Sequence, residues 1–461
     1  MKDIIKIALA LLLYGGLAPL LGVWLSSRRL WQRVTFALMI VMTAMRPGNF
    51  MLMIDSIEKY RGHTKGFEVS LIEVLALALI IAVRRSARGL RTGRVPGLWF
   101  YLIWCAVSIC SAAASYEPTF ALMAASRFAK GALIFAAAAL YLRDETDLRW
   151  AIGALAGALL HHGLLCLKMR VFDGQWQVKG WFEHQNPMAM WCYMGALPVL
   201  AAALWQGVRG KLFWLCIAGV GGASLCILLS VSRAGLAAFV AGAAVLLVMA
   251  WLRGANARTI SLSVVAAIAA FLAAAFAMDS FTARLREVKE SNQLIESDLR
   301  DILNDQSAAM LRDHPMLGVG WNNFGLANSR GRGDIYSEIL ERWDKERGFT
   351  IYDENYYANP LTESLYWLWL AETGWLGFGS FVLFGLVTVW MALRNAIAQR
   401  RTLIGAIATA LCVTLVISYA HGSVERILTQ TKNLSQWLML AGLVAGMEMN
   451  RRTALRMGSK V

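Results

Sequence analysis

Thr362-Glu-Ser-Leu-Tyr-Trp-Leu-Trp-Leu-Ala-Glu-Thr-Gly-Trp-Leu-Gly377 closes the one long polar interruption in an otherwise apolar chain. The interruption opens at Asp279 with the charged run Ser280-Phe-Thr-Ala-Arg-Leu-Arg-Glu-Val-Lys289. It passes through Arg300 and the turn-rich string His314-Pro-Met-Leu-Gly-Val-Gly-Trp-Asn-Asn-Phe324. It ends where the quoted stretch carries the chain back into an apolar helix. A loop of this length, with no repeat and no compositional bias, is functional or disordered. This one holds Trp321, Phe324, Trp343 and Phe349, which can be buried. It therefore reads as an ordered cap outside the membrane, with helix-forming residues between Ala283 and Arg312.

The rest of the chain says what the cap sits on. Of 461 residues, 58% are hydrophobic and 16% charged. The mean hydropathy is +0.51. A soluble chain of this length carries far more charge. Apolar runs of spanning length make this an all-α polytopic membrane protein. The spans fall at 4–25, 30–45, 67–83, 97–115, 119–142, 149–167, 186–205, 212–230, 234–252, 259–278, 360–393, 402–420 and 433–449. The second and last are short, so the count is 12–13 transmembrane helices with one large, partly helical outer loop. Three units follow: a bundle over 1–278, a loop domain over 279–359, and helices over 360–461. The first segment is too long for a cleavable signal and lacks a small-residue cleavage site.

A net charge of +15 suggests nucleic acid, but its distribution argues against it. The basic residues sit in short loops: Arg28/Arg29/Arg33, Arg84–Arg94, Arg143/Arg149, Arg209/Lys211, Arg253/Arg258, Arg394/Arg400/Arg401 and the tail from Arg451. The spans place all of these on one side, the pattern of cytoplasmic loops. The opposite side holds 46–66, 168–185, the 231–233 turn, the long loop and 420–432. With thirteen spans the N-terminus is on that outer side; with twelve it is inside. The seven cysteines show no CxxC spacing, so neither a metal site nor a disulfide framework is indicated.

Polar residues gathered at one face imply a site open to it. Arg233 lies between two apolar runs in Leu229-Ser-Val-Ser-Arg-Ala-Gly235. A snorkelling interfacial arginine is one reading. The charge bias disfavours a lone arginine there, and a guanidinium matches phosphate bidentately, so a phosphate role is the other. Arg300, between Asp298 and Asp301, reads alone as a paired surface charge. In Phe182-Glu-His-Gln-Asn-Pro187, Asn186 suits a helix cap and Pro187 a first helical turn. That leaves Lys179, Trp181 and His184 unexplained. Gly318 and Gly320 make a turn rather than a phosphate loop, because no strand precedes them and no Gly-Lys-Ser/Thr follows. Glu363 opens the returning helix. Glu372 lies nine residues deeper, about 13 Å along the axis, too far for a paired-carboxylate site. We assign chemistry to Glu363 and a structural bond to Glu372.

Four strings in order resemble the O-antigen ligase and Wzy-type polysaccharide polymerase superfamily. They are Gly180-Trp-Phe-Glu-His-Gln-Asn-Pro-Met-Ala189, Leu229–Gly235, His314–Phe324 and Leu361–Gly377. The resemblance covers about 180 to 380. It implies a bacterial inner-membrane glycosyltransferase with its active site facing the periplasm. The donor is an undecaprenyl diphosphate-linked glycan; the acceptor is a glycan or lipid A-core; no metal or other cofactor is needed. It also implies that Arg233 and Arg300 hold the diphosphate, with weaker substrate roles for Lys179, His184 and His314. Ligases of this type carry a histidine eleven residues before the first glycine of Gly-x-x-Gly. Here that glycine is Gly374, and the position is Glu363, followed by Ser364. The departure favours a polymerase of exopolysaccharide or O-antigen units over a ligase: either Glu363 replaces the histidine as base, or the chain is a divergent polymerase with another base. The rival from another class is a lipid-glycan flippase. Against it, no internal repeat is seen and the charges cluster at one face. Nucleic acid is not a partner; membrane lipid is.

Overall fold

The computed structural model describes residues 2–46, 51–57, 60, 62–86, 94–268, 293–328 and 361–457. The far half of the 259–278 span, the start of the loop helix, Trp343, Phe349 and most of the Arg84–Arg94 loop lie outside the described residues. The chain is an all-α polytopic membrane protein. Its helices are α1 (Lys2–Leu12), α2 (Ala18–Leu25), α3 (Arg29–Ala44), α4 (Leu71–Ser86), α5 (Leu98–Cys110), α6 (Pro118–Tyr141), α7 (Glu145–Val171), α8 (Gln185–Leu204), α9 (Gly210–Ser230) and α10 (Arg233–Leu252). Then follow α11 (Ala257–Ile268), α12 (Gln293–Asp313), α13 (Phe324–Ala327), α14 (Leu365–Ala398), α15 (Leu403–Gly422) and α16 (Thr431–Arg456). Among the described residues, 8 helices are long and apolar enough to cross a membrane, α1–α2 counting as one.

Each remaining span of the sequence reading is also helical over most of its described part. The 30–45 run forms a 16-residue helix, α3. The 67–83 run divides: Phe67–Ser70 is a strand, and helix starts only at Leu71. That strand pairs antiparallel with Met51–Ile54, Met51 opposite Ser70 and Ile54 opposite Phe67. This small hairpin is the only sheet among the described residues.

α16 is low in hydropathy because it runs through the middle of the bundle. Its residues from Asn433 to Glu448 are all buried. It can tolerate Asn433, Gln436 and Glu448 because protein, not lipid, surrounds them. Helices in lipid associate by close packing of small residues rather than by expelling water. A Cβ on Gly442 would lie 2.4 Å from the Phe135 carbonyl oxygen, so α16 and α6 touch backbone to backbone. α7 and α9 do the same: a Cβ on Gly163 would lie 2.5 Å from the Gly222 Cα, and one on Gly222 2.6 Å from the Leu159 carbonyl oxygen. Trp214, Val248, Leu386, Trp390 and Ile397 face outward and exposed, as a lipid-facing belt requires.

The helix ends gather into two faces. At the basic face, the buried Asp147 carboxylate accepts from Arg29 and from Arg33 Nε at 2.8 Å. Glu448 there accepts from Arg451 at 2.9 Å and Arg452 at 2.7 Å. At the other, the loop face, lie the hairpin, α12, α13, the N-termini of α6, α8, α10, α14 and α16, and the turn between α15 and α16.

Candidate active site at the loop face

The floor of this face is made by the string His314–Phe324 docking onto α14. α14 carries Gly374 at φ 61°, ψ −168°, a break inside the helix. The break frees backbone groups, and the string takes them. Val319 N donates to Ala371 O at 2.9 Å, Gly320 N to Glu372 O at 3.1 Å, and Trp375 N to Pro315 O at 2.8 Å. A Cβ on Gly318 would lie 2.3 Å from the Glu372 carbonyl carbon, and one on Gly374 2.4 Å from that of Met316. The glycines thus serve close approach of two backbones, as their reading as a turn implies. Glu372 is fully buried and accepts from Asn322 N at 3.0 Å, Phe324 N at 3.1 Å and His63 Nε2 at 2.5 Å. Its partners are the docked string and the hairpin loop, rather than another membrane helix.

Above this floor the chain returns to the membrane at Leu361–Ser364. Ser364 caps α14, its hydroxyl accepting from Trp367 N. Glu363, one residue earlier, is half-exposed. Its Oε2 lies 3.0 Å from Arg300 Nη2, which is equally exposed. Arg300 is one turn before Asn304 on α12, and Asn304 Oδ1 accepts from the Thr362 hydroxyl at 2.9 Å. Two adjacent residues of the returning segment are thereby tied to two turns of one helix.

Opposite stands the turn between α15 and α16. Arg426 Nη1 donates to the carbonyls of Leu361 at 2.7 Å and Thr362 at 3.1 Å. Glu425 Oε1 accepts from Asn186 Nδ2 at 2.5 Å. Burial lifts the Glu425 carboxyl to about 7; the negative charge of Glu363 adds to this, and Arg300 and Arg426 oppose it. Four segments that are distant in sequence, at 184–186, 300–304, 361–363 and 425–426, meet here.

His184 stands next to the cluster as the N-cap residue of α8. Burial lowers its imidazole below the ordinary value, Glu363 pulls it up, and Lys179 pushes it down. Asn186 is not the cap that its position in the sequence suggests. The helix begins two residues early, and that frees the Asn186 amide for Glu425. Lys179 bonds the Glu183 carbonyl at 3.4 Å. Arg233 starts α10 just after its cap Ser232. It is exposed and has no hydrogen bond or ion pair among the described residues. Its helix packs at Gly235 against Ala189, one turn into α8. His314 is not brought to the cluster. It follows the end of α12, fourteen residues from Arg300, a separation of about 21 Å along a helix.

The sequence reading missed Glu425, Arg426 and Lys432. Lys432 donates to the Trp181 carbonyl at 2.6 Å and lies 4.3 Å from the Phe182 ring centroid. It thus orients the segment carrying His184. Their signal was present: three charged residues crowd into the short loop 420–432, between two apolar helices. Also unread was a buried set on α6. Arg127 donates to the carbonyls of His63 and Thr429, and Lys130 to that of Glu68. The Glu68 carboxylate accepts from Thr431 at 2.9 Å. This set fixes the 427–431 turn, and with it Glu425, to the rigid middle of the bundle.

The fold and this cluster define a multi-pass membrane protein with a charged, partly open site at one face. Residues 218–382 match the family model described as O-antigen ligase. The match supports the superfamily that the four strings resemble, and with it a membrane enzyme of polysaccharide or O-antigen biosynthesis. It spans Arg233, Arg300 and Glu363, and it stops short of Glu425. No curated protein matches the chain.

Proposed function

We propose that the protein is an inner-membrane glycosyltransferase that polymerises exopolysaccharide or O-antigen repeat units from an undecaprenyl diphosphate-linked donor at its periplasmic face. The observation that carries this reading is the meeting of Arg300, Glu363, Glu425 and Arg426 at the face opposite the basic loops. Such a site suits a reaction whose leaving group is a diphosphate and whose nucleophile is a sugar hydroxyl. Guanidinium groups neutralise charge as it develops on the leaving phosphate, which is electrostatic stabilisation of the transition state. Arg233, exposed and unpaired among the described residues, and Arg300 take that role. The carboxylates orient the acceptor hydroxyl and accept its proton.

A glutamate at 363, where the resembling ligases carry histidine, supports polymerisation over ligation to lipid A-core. The test is turnover. Purified protein in liposomes with an undecaprenyl diphosphate-linked oligosaccharide should lengthen the glycan and release undecaprenyl diphosphate. Transfer only to a lipid A-core acceptor makes it a ligase. Movement of the donor across the bilayer with neither lengthening nor transfer makes it a flippase and refutes the proposal.

A further inference from the structure

The sequence points to Glu363 as the base, yet the geometry gives that residue a different task. Its Oε2 is already engaged by the Arg300 guanidinium at 3.0 Å, with both side chains half-exposed. A carboxylate so paired is already committed to a cation. Glu425 differs in each respect. It is more buried and, among the described residues, takes one hydrogen bond, from the neutral Asn186 amide at 2.5 Å. Among the described residues it faces Glu363 from the returning segment, Arg300 from α12 and Arg426 from its own turn. Arg426 spends its guanidinium on the carbonyls of Leu361 and Thr362, holding the Glu363 segment at a fixed distance from Glu425.

We propose that Glu425 accepts the proton of the acceptor hydroxyl, and that Glu363, clamped by Arg300, is a positioning residue that tunes Glu425. This rests on the glycan-transfer reading above. As the hydroxyl oxygen forms its bond to the anomeric carbon, its proton passes to the Glu425 carboxylate. The anomeric C–O bond to the diphosphate breaks, and its electron pair leaves on phosphate oxygen. Glu425 then returns the proton to water at the open face. A base works best when its pKa lies near the working pH. Burial and the neighbouring Glu363 charge bring Glu425 to about 7. The half-exposed Glu363 thus replaces a histidine in position, while the titrating role moves to the α15–α16 turn.

The experiment is the pH dependence of kcat with saturating lipid-linked oligosaccharide, in liposomes holding the full chain. Wild type should show a limb rising with pH, its midpoint near 7. Glu425→Gln should lose the limb and at least a hundredfold in kcat, with the donor KM within about threefold. Glu363→Gln should keep a limb moved to lower pH, because a negative neighbour is gone and Arg300 is released. Asn186→Ala should move it to higher pH, because the ionised carboxylate loses a donor; it also serves if Glu425→Gln does not fold. A Glu425→Gln enzyme with the wild-type limb, or a Glu363→Gln enzyme with none, overturns the assignment. A wild-type protein that transfers no glycan overturns the functional reading itself, and is told apart by its lack of any turnover.

Discussion

Glu372→Gln tests how the loop face is held together. The wild-type carboxylate accepts three bonds, from Asn322 N, Phe324 N and His63 Nε2, with no exposed surface. Glutamine keeps the shape but offers one accepting oxygen. If that oxygen faces Asn322 and His63, its amide hydrogens point at the Phe324 N–H. A buried donor without an acceptor costs about 1–3 kcal/mol. The two remaining bonds lose charge assistance, roughly half their strength, or about 1 kcal/mol together at the least. The docked string should therefore open more easily by roughly 3 kcal/mol, about a hundredfold in its opening equilibrium. Hydrogen exchange read on peptides covering 318–326 measures this directly, since the Val319, Gly320, Asn322 and Phe324 amides are all bonded at the dock. His63→Ala in the same background should add less than it does alone, because the two residues share one bond. Exchange of these amides within threefold of wild type would refute the view that Glu372 fastens the string.

Two further predictions concern single positions. Arg233→Lys keeps the charge and loses the bidentate fork, so glycan transfer should fall at least tenfold at unchanged protein abundance in the membrane; near-normal turnover would reduce Arg233 to an interfacial anchor. Gly374→Ala puts a methyl 2.4 Å from the Met316 carbonyl carbon, at a φ of 61°, and should cost about 2–4 kcal/mol; thermal unfolding in detergent at the wild-type midpoint would contradict the docking geometry.

The apolar runs made the bundle legible, because spanning length and alternating basic loops are local properties of the chain. Glu372 was readable for the same reason: an acid inside an apolar run needs partners wherever it folds. The hairpin was not, since four-residue strands leave too short a pattern and Phe67–Ser70 runs straight into apolar helix. α16 read as short and doubtful because its polar residues are buried among other helices, which hydropathy does not register. Arg300 and Glu363 were both named, but their pairing depends on where α12 lies, which no local pattern states. His314 was named for its place in a motif, and that motif proves to be a docking element. Glu425 was overlooked because a glutamate in a polar loop is ordinary. Only the meeting with Asn186, Glu363 and Arg426 makes it unusual.

The docked string has a consequence for anyone exchanging loops between related chains. Residues 318–328 are buried among residues of quite different parts of the chain. The Asn322 amide donates to the carbonyls of Thr64 and Phe120, and Asn323 Oδ1 accepts from Glu117 N. A graft cut at the membrane boundaries would bring in Asn322 and Asn323 without the surfaces they were shaped against. A chimaera that exchanges only the segment after Asn328 keeps the dock intact, and makes that asparagine the natural place to cut.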